Sequence, residues 1–339
     1  MGGPAVWRGV QEQPMAAYIT RQKAGKAFRY FDGTTQITDR AVLAHIETLA
    51  IPPAWQHVEI AKAKSARIQA HGYDAAGRKQ YIYHPVYRQK QEKLKFDRTL
   101  RFAESLPRLR RQVDKDLRHQ RLDKDKVLAF IVRLIDEAYF RVGNDRYTRE
   151  HQTYGITTLQ SKHVDITTTV VTFDFIGKSG KEQIKRIVDP QLARILKQLD
   201  ELPGREIFRY TDRDGGIHDL NATDVNNYIK RHMGEEFTAK DFRTWGGTLL
   251  ATSTMLHDKQ EPPTSATARK KAVAAVVKQV AARLGNTPAV ARASYIHPTV
   301  LAAYEDRETI VKLRAAMLRI KPKRYRSIDE ESALWLLKR

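Results

Sequence analysis

Apolar residues recur with the helical period in some stretches of this chain and with the two-residue period of a strand in others. Val42, Leu43, Ile46 and Leu49 fall on one face of a helix predicted over 39–49, which Ile51-Pro52-Pro53-Ala54-Trp55 stops. Val127, Phe130, Ile131, Leu134, Ile135 and Ala138 form a stronger stripe over 127–140, and Val273, Val276, Val280 and Leu284 another after Pro262-Pro263. Strand alternation is clearest where Val171, Phe173 and Phe175 interleave with Thr172 and Asp174. Residues 176–181 then read as a hairpin connection, 183–188 as the returning strand, and either 156–159 or 164–166 as a third member. Earlier, 28–33 reads as a strand and turn, with short strands at 58–60 and 66–70. After Gly77, Gln80, Ile82 and His84 of a further strand face one way, Tyr81 and Tyr83 the other. The pattern predicts an α+β protein. A small N-terminal antiparallel-sheet domain covers 1–88, and a larger, mainly helical domain with a small three-stranded antiparallel sheet covers 98–339. Between them 89–97 is polar, lacks an apolar period, and reads as a basic linker.

Several helix ends are written locally. Gly285 can close the helix before it in a left-handed conformation, Thr287 can cap the next, and Pro288 suits its first position. Tyr295 follows two turns later and Pro298 limits that helix, so Tyr295 sits on a short, framed segment. Thr223 can cap a helix over 225–231. Thr238-Ala239-Lys240-Asp241 resembles a capping box with Asp in place of Glu, and Ser327-Ile328-Asp329-Glu330 is another. Gly246-Gly247 inside the helix that Thr238 opens costs about 1 kcal/mol each relative to Ala, which suggests close approach by another backbone, of protein or nucleic acid.

Charge adds a partner. The 339 residues leave room for about two domains. Lys and Arg number 60 against 39 Asp and Glu, a formal net charge of +21. Over 88–126 there are 14 basic and 7 acidic residues, a third of that excess. Such an excess repels itself unless a polyanion or counterions neutralise it, so nucleic acid is the leading partner and an acidic membrane surface the second. No apolar run is long enough to cross a membrane. The opening MGGPAVWRGVQEQP lacks the apolar core of a signal peptide, and Val6 stands where myristoylation wants Ser or Thr. Without Cys there is neither disulfide nor thiolate metal site, and the 11 His show no HExxH or similar metal-binding spacing. A reducing, cytoplasmic, nucleoid-associated location fits.

A rigidly held phenol such as Tyr295 can serve as a nucleophile, but in a chain with 14 Tyr it can equally be a packing residue. Arg141, at a helix end before Gly143-Asn144, can be a cation on a helix C-terminus and no more. Lys178, at a hairpin tip, can simply be solvated. Their combination with Arg243 and Asn286 is what alters the reading. F-R-V-G-N-D-R-Y over 140–147, I-G-K-S-G-K over 176–181, K-D-F-R-T-W-G over 240–246 and G-N-T-P followed by A-R-A-S-Y ending at Tyr295 occur in this order. The set resembles the active site of type IB DNA topoisomerases, the poxvirus-like and bacterial group. G-R-K-Q-Y-I-Y over 77–83 looks like that family's major-groove strand, and I-P-P-A-W like its bacterial branch.

The resemblance implies that 98–339 is the catalytic domain and that Tyr295 attacks a DNA phosphodiester, giving a 3′-phosphotyrosyl enzyme and a free 5′-hydroxyl. Strand rotation and religation would then relax supercoiled duplex without ATP or metal. It implies Arg141, Arg243 and Asn286 as donors to the non-bridging oxygens and Lys178 as general acid for the leaving 5′-oxygen. Lys181 competes for that role, but Lys178 directly follows Gly177, as in the family, 37 residues after Arg141. Lys240 and Asp241 are expected to support Arg243. Gln80, Tyr81 and Tyr83 are the implied groove contacts, Lys79 and Tyr147 phosphate contacts. A monomer clamping the duplex is the expected form. Viral members carry His where this chain has Asn286, which removes any titrating role there. Two other readings are weighed. A tyrosine site-specific recombinase uses a similar set but generally has His three residues before the second arginine, where this chain has Lys240. A non-catalytic DNA-binding protein would not need five such residues intact.

Overall fold

The computed structural model describes residues 18–25 and 27–339. The opening stretch read above for targeting signals lies outside them. The chain divides into two compact units, the first ending at Lys95 and the second running from Phe96 to Arg339.

The first unit is an antiparallel sheet with a helix on one face. Strands β1 (Tyr18–Ala24), β2 (Ala27–Asp32) and β3 (Thr35–Gln36) are followed by helix α1 (Arg40–Thr48) and strands β4 (Gln56–Ala61), β5 (Ile68–Tyr73) and β6 (Lys79–Tyr83). Their order in the sheet is β3-β2-β1-β4-β5-β6. Asp39 caps α1 by accepting from the Ala41 N–H at 2.7 Å, so Ile46 is buried with Ile19, Val58, Ile60 and Ala70. Alternation along β6 sends Ile82 toward that core and Tyr81 and Tyr83 to the other face. There a row of rings forms: Tyr18–His71 centroids lie 5.5 Å apart, His71–Tyr81 6.1 Å, Tyr81–Tyr83 6.0 Å and Tyr83–Tyr87 5.5 Å.

Residues 89–97 differ from the expected linker in local structure. They lie inside α2 (Pro85–Asp116), a helix of 32 residues. Its apolar stripe starts only at Phe96 and continues through Phe102, Leu106, Leu109 and Val113, all buried. The polar first third is helical through propensity and an i,i+4 pair, Arg88 with Glu92 at 4.0 Å, so no apolar period announces it.

The second unit continues with α3 (Lys124–Ala138), capped by Asp123, and α4 (Asp145–His151). Strands β7 (Val164–Ile166), β8 (Val170–Gly177) and β9 (Lys181–Val188) make the small antiparallel sheet in that order. Of the two candidates for its third member, 164–166 is the strand, while Ile156–Thr158 is a single 3-10 turn. Val171, Phe173 and Phe175 are buried, as their alternation predicts. Helix α5 (Pro190–Asp200) and a two-stranded hairpin of β10 (Arg209–Thr211) and β11 (Ile217–Asp219), which no strong alternation announced, precede the remaining helices. These are α6 (Ala222–Met233), α7 (Ala239–His257), α8 (Ala266–Leu284), α9 (Pro288–Ser294), α10 (Pro298–Glu305), α11 (Arg307–Met317) and α12 (Ile328–Leu337). Asn221, not Thr223, caps α6, because its carboxamide reaches the Thr223 N–H at 2.8 Å and Asp224 completes the box.

Helix α7 joins two apolar cores. Phe242 and Trp245 belong to the one built on α2, α3, β8 and α6; Ala251, Met255 and Leu256 belong to the one built on α8 to α12. The four residues from Trp245 to Thr248 therefore sit between two packed layers, where backbone position is tightly held.

Candidate active site

Tyr295 is positioned by the turn between α8 and α9 and by the side of α7. Gly285 adopts φ 63°, ψ 45°, and the Asn286 N–H bonds the Ala281 carbonyl at 2.8 Å, closing α8 as a left-handed C-cap. Thr287 accepts from the Val290 N–H at 3.3 Å, and Pro288 opens α9. Tyr295 is the last-turn cap of α9, half-buried, with its N–H on the Ala291 carbonyl at 3.0 Å.

The two glycines of α7 have separate reasons. A Cβ at Gly247 would lie 2.5 Å from the Tyr295 carbonyl oxygen and 2.9 Å from its Cβ. The expected backbone approach is therefore from the protein itself. A Cβ at Gly246 would instead meet the Tyr139 ring, 2.2 Å from Cε1. Next in line, Thr248 is fully buried; its hydroxyl donates to the Thr244 carbonyl at 2.9 Å and accepts from the His297 N–H at 3.1 Å. That bond hangs the 295–297 peptide on α7.

Arg243 is only 4% exposed. Its Nη1 donates to the Tyr139 carbonyl and Nη2 to the Leu284 carbonyl, each at 2.7 Å, and its guanidinium stands 5.2 Å from the Tyr295 ring centroid. Nε is buried with no protein partner. Arg141 directs Nη2 to the Asn286 Oδ1 at 2.7 Å and the Gly285 carbonyl at 3.1 Å. With Oδ1 so engaged, Asn286 keeps Nδ2 buried and unpartnered. Burial, and then the nearby Arg243, pull Arg141 down to about 10, while burial lowers Arg243 and Tyr295 offsets part of it. Two cations held this close, with buried N–H groups left over, form a receptor for an anion. These four residues are brought together.

Lys178 is not joined to them by any hydrogen bond or ion pair among the described residues. It is exposed at the tip between β8 and β9, where Ser179 (φ 65°) and Gly180 (φ 68°) turn the chain. Lys181 is exposed as well. Asp241 supports the start of α7 rather than Arg243: its carboxylate accepts from the Thr238 N–H at 2.9 Å and hydroxyl at 3.0 Å, and from Arg98 Nε at 3.0 Å. Lys240 is exposed.

In the first unit Tyr81 and Tyr83 are 38% and 36% exposed, and Lys79 stands 5.9 Å from the Tyr81 ring. Gln80 faces the opposite way and donates to Asp74 at 2.9 Å, apart from the aromatic row. Tyr147 falls on α4; its side chain lies outside the described residues.

Two residues near the site carried no sequence signal. Gln183 packs between Gly177 and Gly285, where added Cβ atoms would lie 2.8 Å from its Cγ and 2.7 Å from its Oε1. Lys185 donates to the Ala138 carbonyl at 2.6 Å. Both lie on the strand's inward face, but only the fold reveals what they meet.

Comparison with known proteins gives matches over both units. Residues 84–322 match the family model described as eukaryotic DNA topoisomerase I, catalytic core, and 27–74 match that of the bacterial DNA topoisomerase IB N-terminal domain. The chain is 35% identical over 302 residues to DNA topoisomerase 1B of Acanthamoeba polyphaga mimivirus, covering 87% of this chain and 90% of that one. It is 24% identical over 243 residues to DNA topoisomerase 1B of vaccinia virus (strain Copenhagen), covering 70% and 72%. With DNA topoisomerase 1 of Schizosaccharomyces pombe (strain 972 / ATCC 24843) it shares 27% identity over 179 residues, 52% of this chain and 20% of that one.

Proposed function

Because the chain belongs to the type IB DNA topoisomerase family, an isomerase acting on DNA, we propose that it relaxes supercoiled duplex through a transient covalent bond from Tyr295 to a 3′-phosphate. The observation that carries this reading is that Arg243 stands against the Tyr295 ring and Arg141 is bonded to Asn286, with buried donors left over on Arg243 and Asn286.

In the cleavage step the Tyr295 phenol oxygen forms a bond to phosphorus and gives up its proton to solvent water, and the bond from phosphorus to the 5′-oxygen breaks. Negative charge grows on the non-bridging oxygens, where the two guanidiniums and the Asn286 amide donate. Because the arginines are anchored on the carbonyls of Tyr139, Leu284 and Gly285, little reorganisation accompanies the reaction. The leaving 5′-alkoxide takes a proton from Lys178. The hairpin that carries Lys178 is exposed, so its amine is placed by bound DNA and not by the protein alone. The phosphotyrosyl bond conserves the phosphodiester energy; the free strand end rotates, and the 5′-hydroxyl reverses the reaction. Arg141, Arg243, Lys178, Asn286 and Tyr295 are thus the working set. Tyr81, Tyr83 and Lys79 present an aromatic, basic surface to duplex DNA. A single chain suffices, and location with the chromosome follows from the substrate.

The test is incubation with supercoiled plasmid in EDTA without ATP. Relaxation of both positive and negative supercoils is expected; an unchanged plasmid overturns the proposal. With roughly 6 phosphates neutralised, log affinity should fall against log salt with a slope near −5, and a flat dependence would contradict a phosphate-dominated interface.

A further inference from the structure

Lys185 is a titratable side chain that the reaction above does not use, yet it touches both elements that deliver working residues. It sits on β9, the strand that returns from the Lys178 tip. Its Nζ donates to the carbonyl of Ala138, the last residue of α3, at 2.6 Å and stands 5.2 Å from the centroid of the buried Phe140 ring. Between these contacts lies Tyr139, in the left-handed region at φ 55°, a conformation that is costly for a bulky residue and persists only where neighbours fix it. Its carbonyl is held by Arg243 and its ring rests on Gly246. Arg141 is the residue immediately after Phe140. One ammonium thus fastens the β8–β9 hairpin to the turn from which Arg141 projects.

We propose that Lys185 is a positioning residue that locks the Lys178-bearing hairpin to the turn aiming Arg141, and that it takes up a proton when a phosphate enters the site. This rests on the functional reading above for what the lock serves, but not for the proton uptake. The charges facing Lys185 are all positive: Arg243 from α7, Arg283 from α8 and Arg141 from the turn after α3. Glu182 and Arg186, its charged neighbours on β9, alternate to the other face of the strand. Burial first, and then those three arginines, bring Lys185 down to about 7. A neutral amine still donates to the Ala138 carbonyl but loses the attraction to the Phe140 ring. A phosphate on Arg141 and Arg243 cancels the repulsion, which raises the proton affinity of Lys185 and tightens the lock as substrate arrives.

The experiment compares the wild type, Lys185→Met and Lys185→Arg on two readouts. The first is proton uptake near pH 8, taken from duplex-binding enthalpies in buffers of differing ionisation enthalpy, in a Tyr295→Phe background that cannot cleave. Wild type should take up close to one proton more than either variant, since Arg is charged throughout and Met never. Equal uptake in all three overturns the proton linkage. The second is single-turnover cleavage. Lys185→Met should cleave about 10- to 100-fold more slowly, the scale of a small misplacement of reacting groups. Its affinity for duplex at pH 8 and fixed salt should fall about 10-fold, the reciprocal of the lost proton uptake. Lys185→Arg should recover most of the rate. Wild-type cleavage by Lys185→Met overturns the positioning role. If Lys185→Met fails to fold, Lys185→Arg still decides the linkage. If the wild type relaxes no plasmid, the topoisomerase reading fails while the proton uptake remains measurable.

Discussion

Around Tyr295 the polar groups are bound to other elements: Arg243 to the carbonyls of Tyr139 and Leu284, Arg141 to that of Gly285, the His297 N–H to the Thr248 hydroxyl. Lys178, by contrast, stands exposed beyond the last rung of the β8–β9 ladder, Gly177 opposite Lys181. The reaction proposed above needs both. Groups that stabilise growing negative charge work best when already fixed, because reorientation during the step would consume the stabilisation they provide. A proton donor to a leaving group has to reach an oxygen that exists only when DNA is bound, so its final position is supplied by the substrate. On the proposed reading, the fixed groups are the charge-stabilising ones and the exposed lysine is the acid.

Breaking the fixed half at its centre has the largest expected effect. Tyr295→Phe should form no detergent-trapped DNA adduct while binding duplex as the wild type does; adduct at wild-type levels would remove Tyr295 from the reaction. The exposed half is next. Lys178→Ala should slow cleavage by ~10²–10⁴, the range of acid–base catalysis. A substrate with sulfur at the bridging 5′ position needs no proton on its leaving group and should recover most of that loss. Rescue of Lys181→Ala with none for Lys178→Ala would transfer the role.

Asn286 tests whether a fixed donor is all that is needed at its position. Asn286→Ala should cost about 10- to 150-fold in cleavage, the worth of a hydrogen bond to a charged oxygen. Asn286→His should keep much of the rate. Asn286→Asp should fall below Ala, since a carboxylate would repel the phosphate, and full activity in Asp would take this residue out of the site. The smallest effect is expected from the scaffold. Thr248→Val removes the acceptor of the His297 N–H and should lower both the unfolding midpoint and the cleavage rate by the equivalent of about 1 kcal/mol. Thr248→Ser should restore both, and a harmless Thr248→Val would show that α7 does not hold the 295–297 peptide through this hydroxyl.

What was legible in the sequence follows a physical division. The Gly285-Asn286-Thr287-Pro288 frame could be read because capping is local chemistry, satisfied within four residues. The buried face of α3 and the alternation of β8 were equally open, since a residue's side of an element fixes its burial. The first third of α2 was not, because helical propensity without an apolar stripe looks the same as a polar connector. Asn221 displaced Thr223 as a cap by two residues, because Asn221 is the residue with the extended backbone an N-cap needs, φ −118° and ψ 176°. Gly246-Gly247 announced a close approach, but that the two would serve different partners, a ring and a backbone, depended on the path of residues 139 and 295, more than a hundred positions apart in sequence. Lys185 and Gln183 gave no warning at all, since a lysine and a glutamine on a half-buried strand are ordinary until their neighbours are known.

The adjacency of Gly246 and Gly247 bears on mechanical precision. One face of a single helical turn bears on Tyr139, two residues before Arg141, and the next bears on Tyr295 itself. From Arg243 to Thr248 the helix advances only about 8 Å along its axis. A tilt or translation of α7 therefore carries the anion receptor and Tyr295, the proposed nucleophile, together, and the displacement common to both drops out of the distance between them. In an instrument this is common-mode rejection. The helix can follow the breathing of two cores while the spacing that matters for reaction stays nearly constant.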